Sequence, residues 1–100
     1  MTGAIIYSGD DEAYFAWLRK NPYGFVVNGR RNKFDPDYLV LHRAGCPSIS
    51  REINDGRYTE RSYLKICAAQ RGELKDYLSR KTGRKDGFSK ECRLCHPERE

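Results

Sequence analysis

The residues with the clearest chemical potential lie at the end of the chain, where Cys92 and Cys95 form a C-x-x-C motif followed directly by His96. Two thiols at this spacing can face one point and supply half of a tetrahedral metal site. The other candidate ligands in the chain are His42, Cys46 and Cys67. The motif therefore predicts a metal site whose remaining ligands must be brought to the tail by the fold.

The sequence favours four thiolates as the ligand set. These are Cys46, Cys67, Cys92 and Cys95. A site of this kind is closed to water and holds zinc for structural purposes. An alternative set replaces Cys67 with His42, which precedes Cys46 by four positions but lies in a strong predicted strand. In a third interpretation no metal binds: Cys46 and Cys67 are small buried apolar residues, His42 only forms hydrogen bonds, and the C-x-x-C is a free thiol pair.

Composition indicates one small domain with a modest core. In a chain of 100 residues with 38% hydrophobic residues, the burial of apolar side chains provides only a small margin of stability. A bound zinc ion would therefore help it fold. The sequence has no apolar run long enough to span a membrane and no signal-peptide pattern. We therefore expect a cytoplasmic protein, in which thiols stay reduced and favour metal over disulfides.

Hydrophobic patterning predicts an α+β domain over residues 1–100, with a small antiparallel or mixed sheet, one helical layer and the order β-α-β-β-β-α. Strands are expected at 4–7, 24–28, 38–42 and 62–68, and helices at 10–20 and 72–81. Ser8 is the expected cap of the first helix, and Gly83 ends the second. Segment 48–61 is expected to be loop or weak strand with a turn at 54–56. Residues 84–100 form the metal-binding tail, in which His96 is not a ligand.

The polar loop between the second and third strands is a candidate nucleic-acid surface, because that antiparallel pair would project a basic tip. The candidate contacts are Asn28, Arg30, Arg31, Asn32, Lys33 and Arg43. Arginine and lysine neutralise phosphates, and Phe34 or Tyr38 beside them could stack on an exposed base. Basic pairs at 80–81 and 84–85 could extend the surface. The formal charge of +5 permits a polyanionic partner. In the alternative interpretation the basic loop is an ordinary solvated surface, and Phe34 and Tyr38 belong to the core.

A weaker pattern imitates metal-dependent nucleases, in which a carboxylate and a Glu-x-Lys motif bind a metal ion next to a phosphodiester. Asp37, Glu73 and Lys75 have this order in the chain. The chemistry needs adjacent strands, whereas Glu73 and Lys75 fall inside a predicted helix. We therefore expect Glu73 to be an ordinary acid of the first helical turn, and no residue is predicted to be catalytic.

Four segments in a fixed order resemble a poorly characterised small bacterial four-cysteine domain. They are YGFVVN at 23–28, DYLVLHRAGC at 37–46, YLKIC at 63–67 and the final C-x-x-C. Such domains are associated with restriction-type and other defence-linked proteins, and the resemblance covers residues 23–97. It implies that the four cysteines act together and that DNA or a DNA-handling protein is the partner.

These observations favour a non-catalytic nucleic-acid-binding or specificity module, with DNA as the expected partner and zinc as a structural cofactor. The alternative is a protein-interaction or regulatory domain of phage or bacterial defence origin, whose basic face meets an acidic protein. A small metal-dependent nuclease is the least favoured. Neither a membrane nor a small-molecule substrate is expected as a partner. Binding to generic DNA that weakens steeply with salt would separate the first two functions.

Overall fold

A computed structural model of the chain describes residues 3–53, 55–85 and 87–97. The elements within these residues are β1 (Ile5–Tyr7), α1 (Asp11–Lys20), β2 (Phe25–Arg30), β3 (Leu39–Arg43), α2 (Pro47–Ser50), β4 (Tyr63–Ala68), α3 (Arg71–Thr82) and β5 (Lys90–Glu91). The strands form one mixed sheet in the order β1-β4-β2-β3-β5. β5 runs parallel to β3, and the other neighbours are antiparallel. The predicted α+β class is therefore confirmed.

All four predicted strands and both predicted helices are present, with bounds within two residues of those expected. The predicted antiparallel pair is β2 and β3. Asp10 caps α1 in place of the expected Ser8, because Asp10 Oδ1 accepts the Ala13 N–H at 3.0 Å. Gly83 ends α3 with φ +73°, as predicted. Residue 54 of the predicted turn, and residues 86 and 98–100 of the predicted tail, lie outside the described residues.

Two elements were missed by sequence reasoning. The segment after β3, expected to be loop or weak strand, contains the short helix α2 with Pro47 in its first turn. The tail, expected to be loop up to the C-x-x-C motif, contains β5. β5 is only two residues long, so it has no hydrophobic alternation that a sequence pattern could reveal.

Helices pack against both faces of the sheet, in place of the single helical layer expected. Val26 pairs with His42 on one side and with Cys67 on the other, so these three side chains share the face that α1 covers. Val27 pairs with Leu41 and Ile66 on the opposite face, which Leu74 and Leu78 of α3 cover. In the part of the chain that the structure describes, no helix is long and apolar enough to cross a bilayer.

The polar segment before β4 is anchored on the first turn of α1. Asp11 is only 4% exposed, and its carboxylate accepts the Thr59 N–H at 2.7 Å and the Thr59 hydroxyl at 2.6 Å. The Tyr14 hydroxyl donates to the Ile49 carbonyl at 2.7 Å, which ties α1 to α2 as well. These buried bonds fix the segments that border the sheet face on the α1 side.

The tail crosses α3 before it reaches β3, and Gly87 makes this crossing possible. A Cβ atom at Gly87 would lie 2.5 Å from Leu78 Cβ, and the backbone has φ +78°. Phe88, the next residue, packs against the core beneath α3. The absence of a side chain at Gly87 therefore lets the chain cross the helix at van der Waals distance and enter β5.

We predict that Gly87→Ala destabilises the protein by about 2–4 kcal/mol, because a left-handed φ and a clash with Leu78 add together. Gly83→Ala is the matched control: Gly83 has φ +73°, but its Cβ would meet no atom within 4 Å. The free energy of unfolding of the control should fall by only about 1–2 kcal/mol. Urea denaturation measures both, and equal losses would show that the chain does not cross α3 at Gly87.

Candidate metal centre

Four side chains with metal-binding atoms meet at the β3 side of the sheet. They are His42, Cys46, Cys92 and Cys95, whose ligand atoms all lie within 4.8 Å of one another. The Sγ atoms of Cys46 and Cys92 are 4.0 Å apart. Thiolates bound to one tetrahedral zinc ion at 2.3 Å would be separated by about 3.8 Å. The group could therefore hold a metal ion with little rearrangement.

β3 and the turn that follows it position the first two members of the group. His42 lies near the end of β3, on the face that α1 covers. The turn is closed by the Cys46 N–H, which donates to the Arg43 carbonyl at 3.0 Å, and by the Ala44 N–H, which donates to the Gly24 carbonyl at 2.9 Å. Cys46 then becomes the N-terminal cap residue of α2. The turn thus returns the Cys46 thiol to the side of the sheet that carries the imidazole.

β5 positions the other two members. The Ser89 N–H donates to the Leu39 carbonyl and the Cys92 N–H to the Leu41 carbonyl, both at 2.9 Å, so the pairing with β3 continues to the first thiol of the motif. An ion pair between Arg71 at the start of α3 and Glu91 holds β5 from the other face. The C-x-x-C motif therefore begins where the sheet ends.

Arg43 fixes the turn of the C-x-x-C motif. Its N–H donates to Cys95 Sγ at 3.3 Å, and its Nε donates to the carbonyls of Cys95 at 3.1 Å and His96 at 3.2 Å. The Nε of Arg43, which the sequence predicts to contact nucleic acid, thus binds the turn that carries Cys95 and His96. His96 contributes its carbonyl here, and its side chain lies outside the group of candidate ligands.

The imidazole of His42 has the character of a ligand. Burial, together with repulsion from Lys65, lowers the pKa of His42 to about 4, so the ring is neutral at pH 7 and keeps a lone pair. Its Nδ1 is buried and has no hydrogen-bond partner among the described residues. Buried polar atoms are almost always paired, so this nitrogen has room for a partner that the protein itself does not supply.

The two thiols of the motif differ in acidity. Burial by itself would raise the pKa of Cys92, but hydrogen bonds from the N–H groups of Cys95 and Leu94 bring it below its ordinary value. Burial raises the pKa of Cys95 to about 12, against a hydrogen bond from the Arg43 N–H. Cys92 is thus the more acidic of the two thiols, whereas Cys95 must release a proton when a metal binds.

The four-thiolate ligand set that the sequence favours needs correction in one member. The structure leaves Cys67 outside the group of four candidate ligands. Cys67 and His42 both pair with Val26, on opposite sides, so two strand spacings or about 10 Å separate them. Cys67 is fully buried against α1, and burial raises its pKa well above the usual range. The fold assembles the alternative set, in which His42 takes the place of Cys67.

The residues predicted to contact nucleic acid, apart from Arg43, gather at the opposite end of β2. Arg30, Asn32 and Lys33 line a cleft of about 540 Å³ with Phe34 and Ser62.

Two further residues of this predicted set already have partners within the protein. Arg31 donates to the Ser8 hydroxyl at 3.1 Å and to the Glu60 carbonyl at 3.0 Å. Asn28 accepts a hydrogen bond from Lys65 Nζ at 2.6 Å. The structure therefore brings Arg30, Asn32 and Lys33 to one cleft, whereas Asn28 and Arg31 bond to other parts of the fold.

Sequence reasoning missed Tyr63 at this end of the sheet. The Arg30 guanidinium lies 4.2 Å from the centre of the Tyr38 ring and 5.5 Å from that of Tyr63. The pairing of Arg30 with Tyr63 across β2 and β4 creates this stack. The alternation of Tyr63 and Lys65 in β4 was the available signal, but only the register shows which residues face them.

The nuclease pattern is not assembled. Asp37 forms an ion pair with Arg84 at 2.7 Å, just beyond the end of α3. Glu73 lies in the first turn of α3, where its Oε1 accepts the Gln70 N–H at 3.1 Å and completes a capping box. The helix rises about 14 Å between Glu73 and its last residue. The prediction that Glu73 is a first-turn acid is confirmed, and the two carboxylates lie at opposite ends of the helix.

Comparison of the chain with protein-family models, with curated proteins and with solved structures found no match. The centre is therefore defined by its own geometry: three thiols and one neutral imidazole, converging from β3, its exit turn and the segment after β5.

Proposed function

We propose that this protein is a non-catalytic nucleic-acid-binding module, with DNA as its partner, whose tail is fixed by a structural zinc ion. The observation that supports nucleic-acid binding is the concentration of basic side chains around the β2–β3 loop. The proposal places the protein in the cytoplasm, because three thiol ligands must stay reduced to bind the metal.

Zinc is the metal that suits this ligand set. Three thiolates with one imidazole in a compact, tetrahedral arrangement form a known class of structural zinc site. The four side chains would fill all four positions of a tetrahedral ion and leave none open for a water molecule or substrate. The metal would therefore stabilise the tail and take no part in a reaction.

The basic surface joins the β2–β3 loop to the end of α3. We define the hairpin surface as Arg30, Arg31, Lys33, Lys81, Arg84 and Lys85. Lys81 Nζ lies 4.7 Å from the centre of the Phe34 ring, and Arg84 donates to the Pro36 carbonyl at 2.9 Å, so the two segments are in contact.

The charge of the hairpin surface favours a polyanion. Asp35 and Asp37 are the acidic residues of the loop, and the Asp37 carboxylate is neutralised by Arg84. The hairpin surface thus has six basic side chains and only two carboxylates beside them. This excess of positive charge is enough to attract phosphates by counterion release.

A second function, protein interaction, is favoured by one observation on the other side of the metal centre. Tyr23 is 92% exposed and Leu94 is 66% exposed. Both line an apolar cleft of about 430 Å³, together with Pro22, Pro47 and Arg43. Large exposed apolar side chains around a cleft are typical of sites that receive an apolar residue of a partner protein.

We predict that the purified protein contains one zinc ion per chain, measured by elemental analysis. Cys92→Ser and Cys95→Ser should each release the metal and unfold or strongly destabilise the protein, because structural zinc contributes on the order of 10 kcal/mol of binding free energy. A protein purified without stoichiometric metal, and unable to bind Zn²⁺ or Co²⁺ when reduced, would contradict the zinc proposal.

His42→Ala and Cys67→Ala form a matched pair that tests the ligand set. We expect His42→Ala to weaken zinc binding at least tenfold in a chelator competition. Cys67→Ala should retain one zinc ion per chain, because its thiol lies about 10 Å from His42. The reverse result, with zinc lost in Cys67→Ala and kept in His42→Ala, would restore the four-thiolate set.

We predict that the protein binds fluorescein-labelled DNA at low salt and that binding weakens steeply as salt rises. Lys33→Gln/Lys85→Gln should lower the slope of log affinity against log salt by about 1.4 on single strands, which corresponds to two lost phosphate contacts. Fluorescence anisotropy measures the slope.

Lys20→Gln/Arg51→Gln is the matched control for the charge change. It removes the same charge from exposed residues at the α1–α2 side, where an ion pair joins Arg19 to Glu52. This control should keep the salt slope of the natural protein. Equal decreases of the salt slope in both double variants would show that binding depends only on net charge. Absence of binding at low salt would overturn the proposed function.

A further inference from the structure

The α1 side of the sheet is only partly covered. α1 packs over Val26 and Cys67, whereas the neighbouring part of the same face opens into a groove of about 670 Å³. Asn28, Tyr38, Val40 and His42 line the groove from the sheet side. Asn28 and Val40 pair directly across β2 and β3, so two neighbouring hydrogen-bonded strands form the floor of the groove. The groove therefore runs along an exposed sheet surface from the metal centre toward the hairpin surface.

Flat, stacked groups lie at the far end of this floor. The guanidinium of exposed Arg30 covers the ring of Tyr38, and the rings of Tyr38 and Tyr63 lie 5.9 Å apart. Both tyrosines are partly exposed. We define the sheet platform as Asn28, Arg30, Tyr38, Val40 and Tyr63. Stacking on aromatic rings and on arginine planes is how proteins hold unpaired bases.

The polar group at the centre of the platform has a fixed orientation. The Lys65 ammonium, which is 2% exposed, can only donate, and it donates to Asn28 Oδ1 at 2.6 Å and to the Tyr58 carbonyl at 2.7 Å. Asn28 Nδ2 must then face the other way, where it donates to the Tyr38 hydroxyl at 3.2 Å. That bond uses one of its two N–H groups, so one N–H of the amide remains to donate to a group in the groove.

The rim of the groove carries positive charge. Lys90 and Arg93, which lie on either side of the candidate metal ligand Cys92 in the sequence, line one side and are exposed. Asp37 also lines the groove, but its carboxylate is paired with Arg84. A groove with a cationic rim and a floor of stackable groups is complementary to a strand whose phosphates lie outside and whose bases turn inward.

We propose that the sheet platform binds single-stranded nucleic acid, with unpaired bases stacked on Arg30 and Tyr38 and phosphates along Lys90 and Arg93. This inference rests on the proposed function and makes it more specific. A duplex keeps its bases inside its own stack, so a recessed platform reaches bases only in single strands. The metal centre holds β5, and with it the cationic rim, beside the platform.

The test compares a labelled 12-nucleotide single strand of mixed sequence with its duplex, by fluorescence anisotropy at low salt. We expect the single strand to bind at least tenfold more tightly. Tyr38→Leu should weaken single-strand binding about tenfold, in the range found for the loss of one stacked base, and leave duplex binding unchanged. Tyr38→Phe keeps the ring and should retain most of the affinity.

Two further variants test whether the effect of Tyr38→Leu arises from the stack that Tyr38 forms with Arg30. Tyr23→Leu makes the same substitution at a tyrosine that is 92% exposed and precedes β2, and it should bind like the natural protein. Arg30→Gln changes an exposed residue and tests the same stack if Tyr38→Leu does not fold. We expect Arg30→Gln to lose affinity for the single strand beyond its loss for the duplex.

The outcomes separate this inference from the proposed function. Equal affinity for single strand and duplex, or unchanged single-strand binding in Arg30→Gln and in folded Tyr38→Leu, would overturn the platform and leave the hairpin surface as the binding site. Absence of binding to either DNA at low salt would overturn the proposed function and the platform together.

Discussion

The parallel pairing of β5 with β3 is the interaction on which the metal centre depends. β3 carries His42, its exit turn carries Cys46, and β5 leads directly into Cys92 and Cys95. A strand of two residues is too short to be stable by its own hydrogen bonds. The pairing and the ligand cluster therefore support each other: the ladder delivers the thiols, and a bound metal would hold the ladder closed. Gly87 and the Arg71–Glu91 ion pair secure the approach to this strand.

The same short segment connects the candidate cofactor with the candidate binding surface. Lys90 and Arg93 border the groove, and Cys92 between them is a member of the ligand group. The metal centre and the cationic rim therefore share one segment of the chain. Asn28, Tyr38 and Arg30 lie on β2 or next to β3, two strands that are paired along their length and do not depend on the tail. The floor of the groove is formed by paired strands, whereas one of its walls depends on the tail.

Local patterns predicted most of the secondary structure because those elements follow local rules. The i,i+4 spacing of Tyr14 and Leu18 defined α1, and both side chains are buried in its core. The left-handed glycine at position 83 ends α3 where predicted. α2 and β5 were missed because they contain four and two residues, about one period of the helical and strand patterns, so neither pattern can repeat within them. The second helical layer was missed because the side on which a helix crosses a sheet depends on strand order.

By itself, the sequence predicted that the terminal C-x-x-C supplies half of a metal site, because two thiols three positions apart can face one point in any fold. Cys46 belonged to both ligand sets that the sequence left open. The sequence also determined that the β2–β3 connection would be basic. Only the tertiary structure decided between His42 and Cys67. Both occupy strands and both share a row with Val26, but the order β1-β4-β2-β3-β5 puts β3, and not β4, beside the tail. Strand order arises from long-range pairing, which no local spacing of residues encodes.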